Sequence, residues 1–333
     1  MLEKIKAYLA ENGADAWVIY DFAAANPAYI RLVGNTFSTR KCFLIIGADG
    51  DAVIVCHVID LPGIQASKKA IKFRYEAYRT WQEMDRLLEN NLSGKKRVMM
   101  EISDNGLLPR SSFADYGTVC SVKRFVEEVV SSADLFQSLS ATFEGESLCL
   151  HKRAAEAVNA IKDEAFAKIS KDVRQKGFAD EYEVQQFILE RFRQEGMVTD
   201  SAPIVAIGKN ANSPHYEPTE KNHSRIKKGD LVLIDLWAKY DRPDAVFADI
   251  TWMGYVGSAV PAAVQKVFDT VKTAIDRALA FLERELPRRD VCGYEVDDVC
   301  NRYMTEQGYG EYIVHRTGHS ISLGESDHGV QVL

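Results

Sequence analysis

Apolar positions recur along this chain with two periods, and the change between them marks its parts. Over residues 1–135 short apolar runs alternate with amphipathic segments. Leu2, Ile5 and Leu9 share one helical face at the start. Residues 16–20, 42–46, 52–56 and 97–102 read as strands, and Asp49-Gly50 between two of them predicts a hairpin. Residues 61–70 and 80–92 read as helices. Polarity then rises and periodicity fades, which places a linker at 136–147 between a domain over 1–135 and a second over 148–333.

The second part opens on a helix over 148–174. Ala154, Ala157, Val158, Ile161, Ala165, Phe166 and Ile169 form its apolar stripe, and Gly177 is its C-terminal stop. A helix over 182–194 follows the acidic pair Asp180-Glu181 and stops at Gly196. Strands are predicted over 202–207, 231–236 and 246–254. Helices come next over 260–286, with Pro261 in the first turn and Pro287 after the end, and over 295–307, closed by Gly308. A final strand is predicted from Ile313. Grouping of helices with helices and strands with strands predicts an α+β fold rather than a Rossmann alternation.

Composition narrows the partners. The 333 residues are 46% hydrophobic and 27% charged, with a net charge of -7 and no long Lys/Arg run. This is a globular composition with room for two domains and no electrostatic footprint for nucleic acid. The N-terminal helix lacks the apolar core of a signal peptide, and no stretch is long enough to span a membrane. The six cysteines form no CxxC pair, so reduced, mostly buried thiols and a cytoplasmic location are expected.

Candidate chemistry gathers in the second part. Asp235 closes the run Leu231-Val232-Leu233-Ile234, and Asp249 lies in Phe247-Ala248-Asp249-Ile250-Thr251. Strands disfavour Asp, and burial of a lone carboxylate is costly. Two carboxylates facing one cavity repel unless a cation or proton lies between them, and a divalent metal resolves this. The competing reading makes them strand-end groups in turn hydrogen bonds. His319 stands between Gly318 and Ser320, whose small size lets a cation or substrate approach, and neutral imidazole is a common metal ligand. His315, four residues earlier in a segment read as extended, should face the same side. A satisfied core histidine is the alternative for each. His215 lies in the loop Asn212-Ser213-Pro214-His215-Tyr216, where it could donate to a developing oxyanion. His223 reads as a solvated surface residue and His57 as structural. No Walker A, GxGxxG after a strand, HExxH or GxSxG motif is present.

Taken in order, His215-Tyr216, Leu231-Val232-Leu233-Ile234-Asp235, Asp249-Ile250-Thr251 and His315-Arg316-Thr317-Gly318-His319 resemble the pita-bread metallopeptidases. That group holds Xaa-Pro aminopeptidases, prolidases, methionine aminopeptidases and the metal-free creatinases. The resemblance covers most of 148–333, and the N-terminal part is similar to the creatinase-type N-domain of the aminopeptidase P and prolidase branch. It implies a metal-dependent peptidase acting on peptides with proline in the second position, and a homodimer. It implies two divalent ions (Mn, Co or Zn) held by two Asp, one His and two Glu. Asp235, Asp249 and His319 match the first three. His215 matches the substrate-contacting histidine, His315 a substrate-facing one, and His328 a further histidine, here nine residues past His319.

Three features depart from the pattern. Trp237 stands where a small Gly is common, and the loop through Asp241-Arg242-Pro243-Asp244 is longer than usual. The two Glu would lie beyond Leu333, so a C-terminally truncated pita-bread domain, inactive or weak as it stands, is expected. A creatinase-like metal-free amidinohydrolase and a non-catalytic pseudo-peptidase that binds partners are the alternatives.

Overall fold

The computed structural model describes residues 1–106, 108, 111–321 and 323. The chain divides into two units, Met1–Leu139 and Ser140–Leu333. In the first, α1 (Leu2–Glu11), β1 (Ala16–Asp21), α2 (Pro27–Val33), β2 (Cys42–Gly47) and β3 (Ala52–His57) are followed by α3 (Leu61–Gln65), β4 (Arg74–Tyr78) and α4 (Trp81–Leu92). Then come β5 (Arg97–Met100), α5 (Tyr116–Val122), β6 (Glu128–Ser131) and α6 (Ala133–Ser140).

The strands form one six-stranded sheet in the order β4-β3-β2-β1-β5-β6. Its centre, β3-β2-β1, is antiparallel and its outer pairings are parallel. β1 and β2 are buried at every position, as continuous apolar runs in a covered sheet require. The expected hairpin is formed. Gly47 N donates to Asp51 O at 2.8 Å, and Gly50 takes φ +97°, a value that favours glycine. The helix read over 61–70 is broken instead: α3 stops at Gln65 and a 3-10 turn follows at Ala70–Lys72. Between them Ser67 Oγ donates to the Val33 carbonyl. α4 starts at a reciprocal cap in which Thr80 Oγ1 accepts from Glu83 N and Glu83 Oε2 accepts from Thr80 N. Thr80→Ala is therefore expected to cost about 1 kcal/mol, read as a lower urea midpoint at unchanged slope.

In the second unit the order is α7 (Glu146–Lys176), β7 (Ala179–Asp180), α8 (Glu181–Gln194), β8 (Met197–Val198), β9 (Ile204–Ile207) and β10 (Arg225–Ile226). β11 (Leu231–Tyr240), β12 (Ala248–Tyr255), α9 (Ala262–Glu285) and α10 (Gly293–Glu306) complete it. The stripe read from sequence is the buried face of α7, where Ala154, Val158, Ile161, Ala165 and Ile169 lie. Gly177 ends the helix in the left-handed region at φ +85°. β11 is the hub of this unit, pairing with β12 along most of its length, with β9 through Val232–Asp235, and with β8 at its end. Its burial alternates strictly: Val232, Ile234, Leu236 and Ala238 join the α7 core, so Leu233, Asp235 and Trp237 take the opposite face.

Two further expectations are corrected. Residues 313–320 are not a strand; after a 3-10 turn at Gly310–Tyr312 they run irregularly. Thr317 is pinned to α10, its N and Oγ1 each donating to Asp297 Oδ1 at 2.7 Å. The cysteines are not mostly buried: Cys42, Cys56 and Cys300 are, while Cys120, Cys149 and Cys292 are exposed, and all six are free. Among the described residues no helix is long and apolar enough to cross a membrane.

Candidate metal centre

Register decides which side chains share the face of β11 away from α7. Residues directly opposite each other in an antiparallel pair lie on one face. Asp235 stands opposite Thr251 and Trp237 opposite Asp249. Asp235 and Asp249 are therefore diagonal neighbours on a common face, although 13 residues lie between them in sequence. Thr251 Oγ1 donates to Asp235 Oδ1 at 2.8 Å, which fixes that carboxylate. Trp237 is held from its far edge, its Nε1 donating to Asp200 Oδ1 at 2.6 Å.

His319 reaches this face through a tertiary contact. An isolated antiparallel bridge joins Val246 to Leu323, and Leu323 N donates to Ser140 O at 2.7 Å. His319 Nε2 then lies 3.2 Å from Asp249 Oδ2, with both side chains mostly covered. Its other ring nitrogen, Nδ1, is 3.1 Å from the Ser320 carbonyl, which requires a proton on Nδ1. Nε2 consequently meets the carboxylate either as the second N–H of an imidazolium or as a lone pair. In the second case two lone pairs converge, and a shared cation relieves them. Oxygen and imidazole donors on one face fit a divalent ion in chemistry. Among the described residues, however, no three His, Cys, Asp or Glu side chains close into a cage.

The remaining histidines are placed differently. His315 is exposed, with Nδ1 2.7 Å from the Arg316 carbonyl, so it does not share a strand face with His319. His215 is exposed in the loop after β9 and takes no part in the Asp249–His319 and Asp235–Thr251 contacts. His328 lies outside the described residues. His223 is not merely solvated: Nε2 is 2.9 Å from Asp180 Oδ2, Nδ1 is 2.8 Å from the Thr219 carbonyl, and the ring stacks on Tyr182.

Sequence reasoning missed Thr251 and Glu181. Thr251 was legible only through register. Glu181 read as an ordinary acidic first-turn residue, yet it is fully buried and faces the His215 loop. Its neighbour Tyr216 donates its hydroxyl to Glu181 Oε2 at 2.7 Å; burial, reinforced by that carboxylate, pushes the phenol pKa up.

Known proteins share this arrangement of elements. The Xaa-Pro dipeptidase of Pyrococcus furiosus is 24% identical over 325 residues, spanning 97% of this chain and 82% of that protein. An uncharacterized peptidase of Staphylococcus saprophyticus is 33% identical over 125 residues, 38% of this chain and 32% of its own length. Among solved structures, a dipeptidase of Mycobacterium ulcerans superposes with a TM-score of 0.67 at 19% identity, covering 99% of this chain and 82% of that one. The fold is thus the pita-bread fold of prolidases and aminopeptidase P. The family model for metallopeptidase family M24 matches residues 150–331, which contain β11, β12 and the segment bearing His319, and the chain belongs to that family.

Proposed function

We propose that this chain is a metal-dependent hydrolase of peptides with proline in the second position, with Asp235, Asp249 and His319 as metal ligands. The observation that carries this reading is the 3.2 Å approach of His319 Nε2 to Asp249 Oδ2 on the face that also bears Asp235. Relatives named Xaa-Pro dipeptidase support the substrate class. Divalent ions (two of Mn, Co or Zn) bound by these residues would acidify a water and polarise the scissile carbonyl.

The chain's own groups supply the rest. Thr251 donates to Asp235 Oδ1 and so fixes the orientation of that carboxylate. The Ser320 carbonyl keeps the Nδ1 proton of His319 in place and presents Nε2. Trp237, opposite Asp249, provides an apolar wall beside the carboxylates. His215, an exposed donor on its loop, stabilises the developing oxyanion, and His315 and His328 serve the substrate. A homodimer is part of this reading, and sedimentation velocity reads it directly.

Incubation of the purified chain with Ala-Pro and Ala-Ala, with added Mn, Co or Zn and with chelator, tests the activity. Any release of proline, weak as the chain stands, is expected to require added metal and to favour the Ala-Pro peptide by about tenfold or more. Cleavage that survives chelation, or equal turnover of both peptides, would contradict it.

A further inference from the structure

Residues 208–224 form a long connection with almost no apolar anchor: Pro218 alone among them is buried. A loop of that length without a core contact would sample many conformations. Its polar anchor is Glu181, at the first position of α8 and fully buried. Glu181 Oε1 accepts from Ile207 N at 2.8 Å and from Asn210 Nδ2 at 3.2 Å. Oε2 accepts from Ser224 N at 2.6 Å, from the Tyr216 hydroxyl at 2.7 Å and from Asn210 Nδ2 at 3.1 Å. These donors stand at the start, the middle and the end of the loop. None is a cation, so the carboxylate is compensated by hydrogen bonds and by the N-terminal end of α8.

The helix does not need Glu181 for its cap. Asp180 does that work, with Oδ1 accepting from Tyr182 N at 3.0 Å and from Glu183 N at 3.4 Å. Asp180 Oδ2, 2.9 Å from His223, adds a second tie at the loop's far end. The residue next to the Tyr216 anchor is His215.

We propose that Glu181 is the positioning residue of the His215 loop, gathering Asn210, Tyr216 and Ser224 onto one buried carboxylate so that His215 is presented in a single orientation. This rests on the peptidase reading, in which His215 meets the substrate.

The test uses the full chain with Glu181→Gln and, as a milder variant, Tyr216→Phe. Glutamine keeps the size but only one acceptor oxygen, so one set of donors loses its partner. Trypsin cleavage after the exposed Lys209 and Lys221 is expected to accelerate about tenfold or more in Glu181→Gln and less in Tyr216→Phe, as loss of charge-assisted hydrogen bonds frees the loop locally. The His215 Cε1–H resonance should move toward its unstructured position in both variants, while bound metal is retained. With Ala-Pro as substrate, kcat should fall while KM holds. Unchanged cleavage after both lysines with an unmoved His215 resonance would overturn the proposal, even in a variant of lower thermal stability, because that is the signature of a purely structural carboxylate. A released loop in a protein that hydrolyses no Xaa-Pro peptide sustains the strap and overturns the peptidase reading instead.

Discussion

Asp249→Asn is expected to weaken divalent-metal binding by about 100-fold or more and to remove metal-dependent peptide hydrolysis with it. Substitution of groups that merely orient ligands costs about 10- to 100-fold in affinity, and a ligand should cost at least as much. Asparagine matches aspartate in shape, so the pairing of Trp237 with position 249 and the packing of β12 should persist. What changes is charge: the His319 imidazole would face a neutral amide instead of a carboxylate 3.2 Å away. Asp235→Asn should behave alike. Thr251→Val, which removes only the 2.8 Å hydrogen bond to Asp235, should cost about tenfold, at the lower end of that range. Calorimetric titration with Mn or Zn, paired with circular dichroism to verify the fold, measures each. Metal affinity in Asp249→Asn equal to that of the parent would remove this face as the ligand site.

The second large effect concerns the first unit and is a pH dependence. Glu101 follows β5 and is almost wholly buried. It accepts from Trp17 Nε1 at 2.5 Å, Asn26 Nδ2 at 2.8 Å and Ser132 Oγ at 3.0 Å. Burial dominates these donors and pushes the carboxyl pKa up to about 7 from an ordinary 4.5. The folded state therefore binds this proton more tightly than the unfolded chain does. Between those two values the folded protein carries more protons, so stability falls as pH rises, by about 3 kcal/mol from this group alone. Below the lower value and above the upper one its contribution is flat.

Carboxylates such as Asp15 and Asp115, whose hydrogen bonds lower their pKa, contribute in the opposite sense at lower pH. A comparison with Glu101→Gln isolates the contribution of this carboxyl. The glutamine amide would face the Asn26 amide donor and cost about 1–3 kcal/mol at every pH. Urea unfolding at pH 5 and pH 8 should then show the parent losing markedly more stability than the variant over that interval. Parallel pH profiles would refute the assignment.

The elements readable from the chain were those whose pattern is set by one interface. α7 was legible because Ala154, Val158, Ile161, Ala165 and Ile169 repeat with helical spacing toward one core. β1 and β2 were legible because both faces are covered. β4, by contrast, has the sequence Arg-Tyr-Glu-Ala-Tyr and lies at the sheet edge, where polar residues are tolerated and no alternation is imposed. The segment 313–320 carries residues that suit a strand, but the hydrogen bonds from Thr317 to Asp297 offer its backbone a different partner.

The candidate centre divides along the same line. Residue types and order along the chain already pointed to Asp235, Asp249 and His319, because carboxylates within apolar runs and a histidine between small residues are locally unusual. Sequence by itself determined the apolar strands such as β1 and β2, the long helices and the kinds of donor available, since these follow from local periodicity and side-chain chemistry. Only the tertiary structure decided that Asp235 and Asp249 share a face, that His319 and not His315 meets Asp249, and that the His215 loop hangs from Glu181. Register, a single bridge at Val246 and Leu323, and a buried carboxylate each join residues far apart in sequence, and no local pattern encodes such a contact.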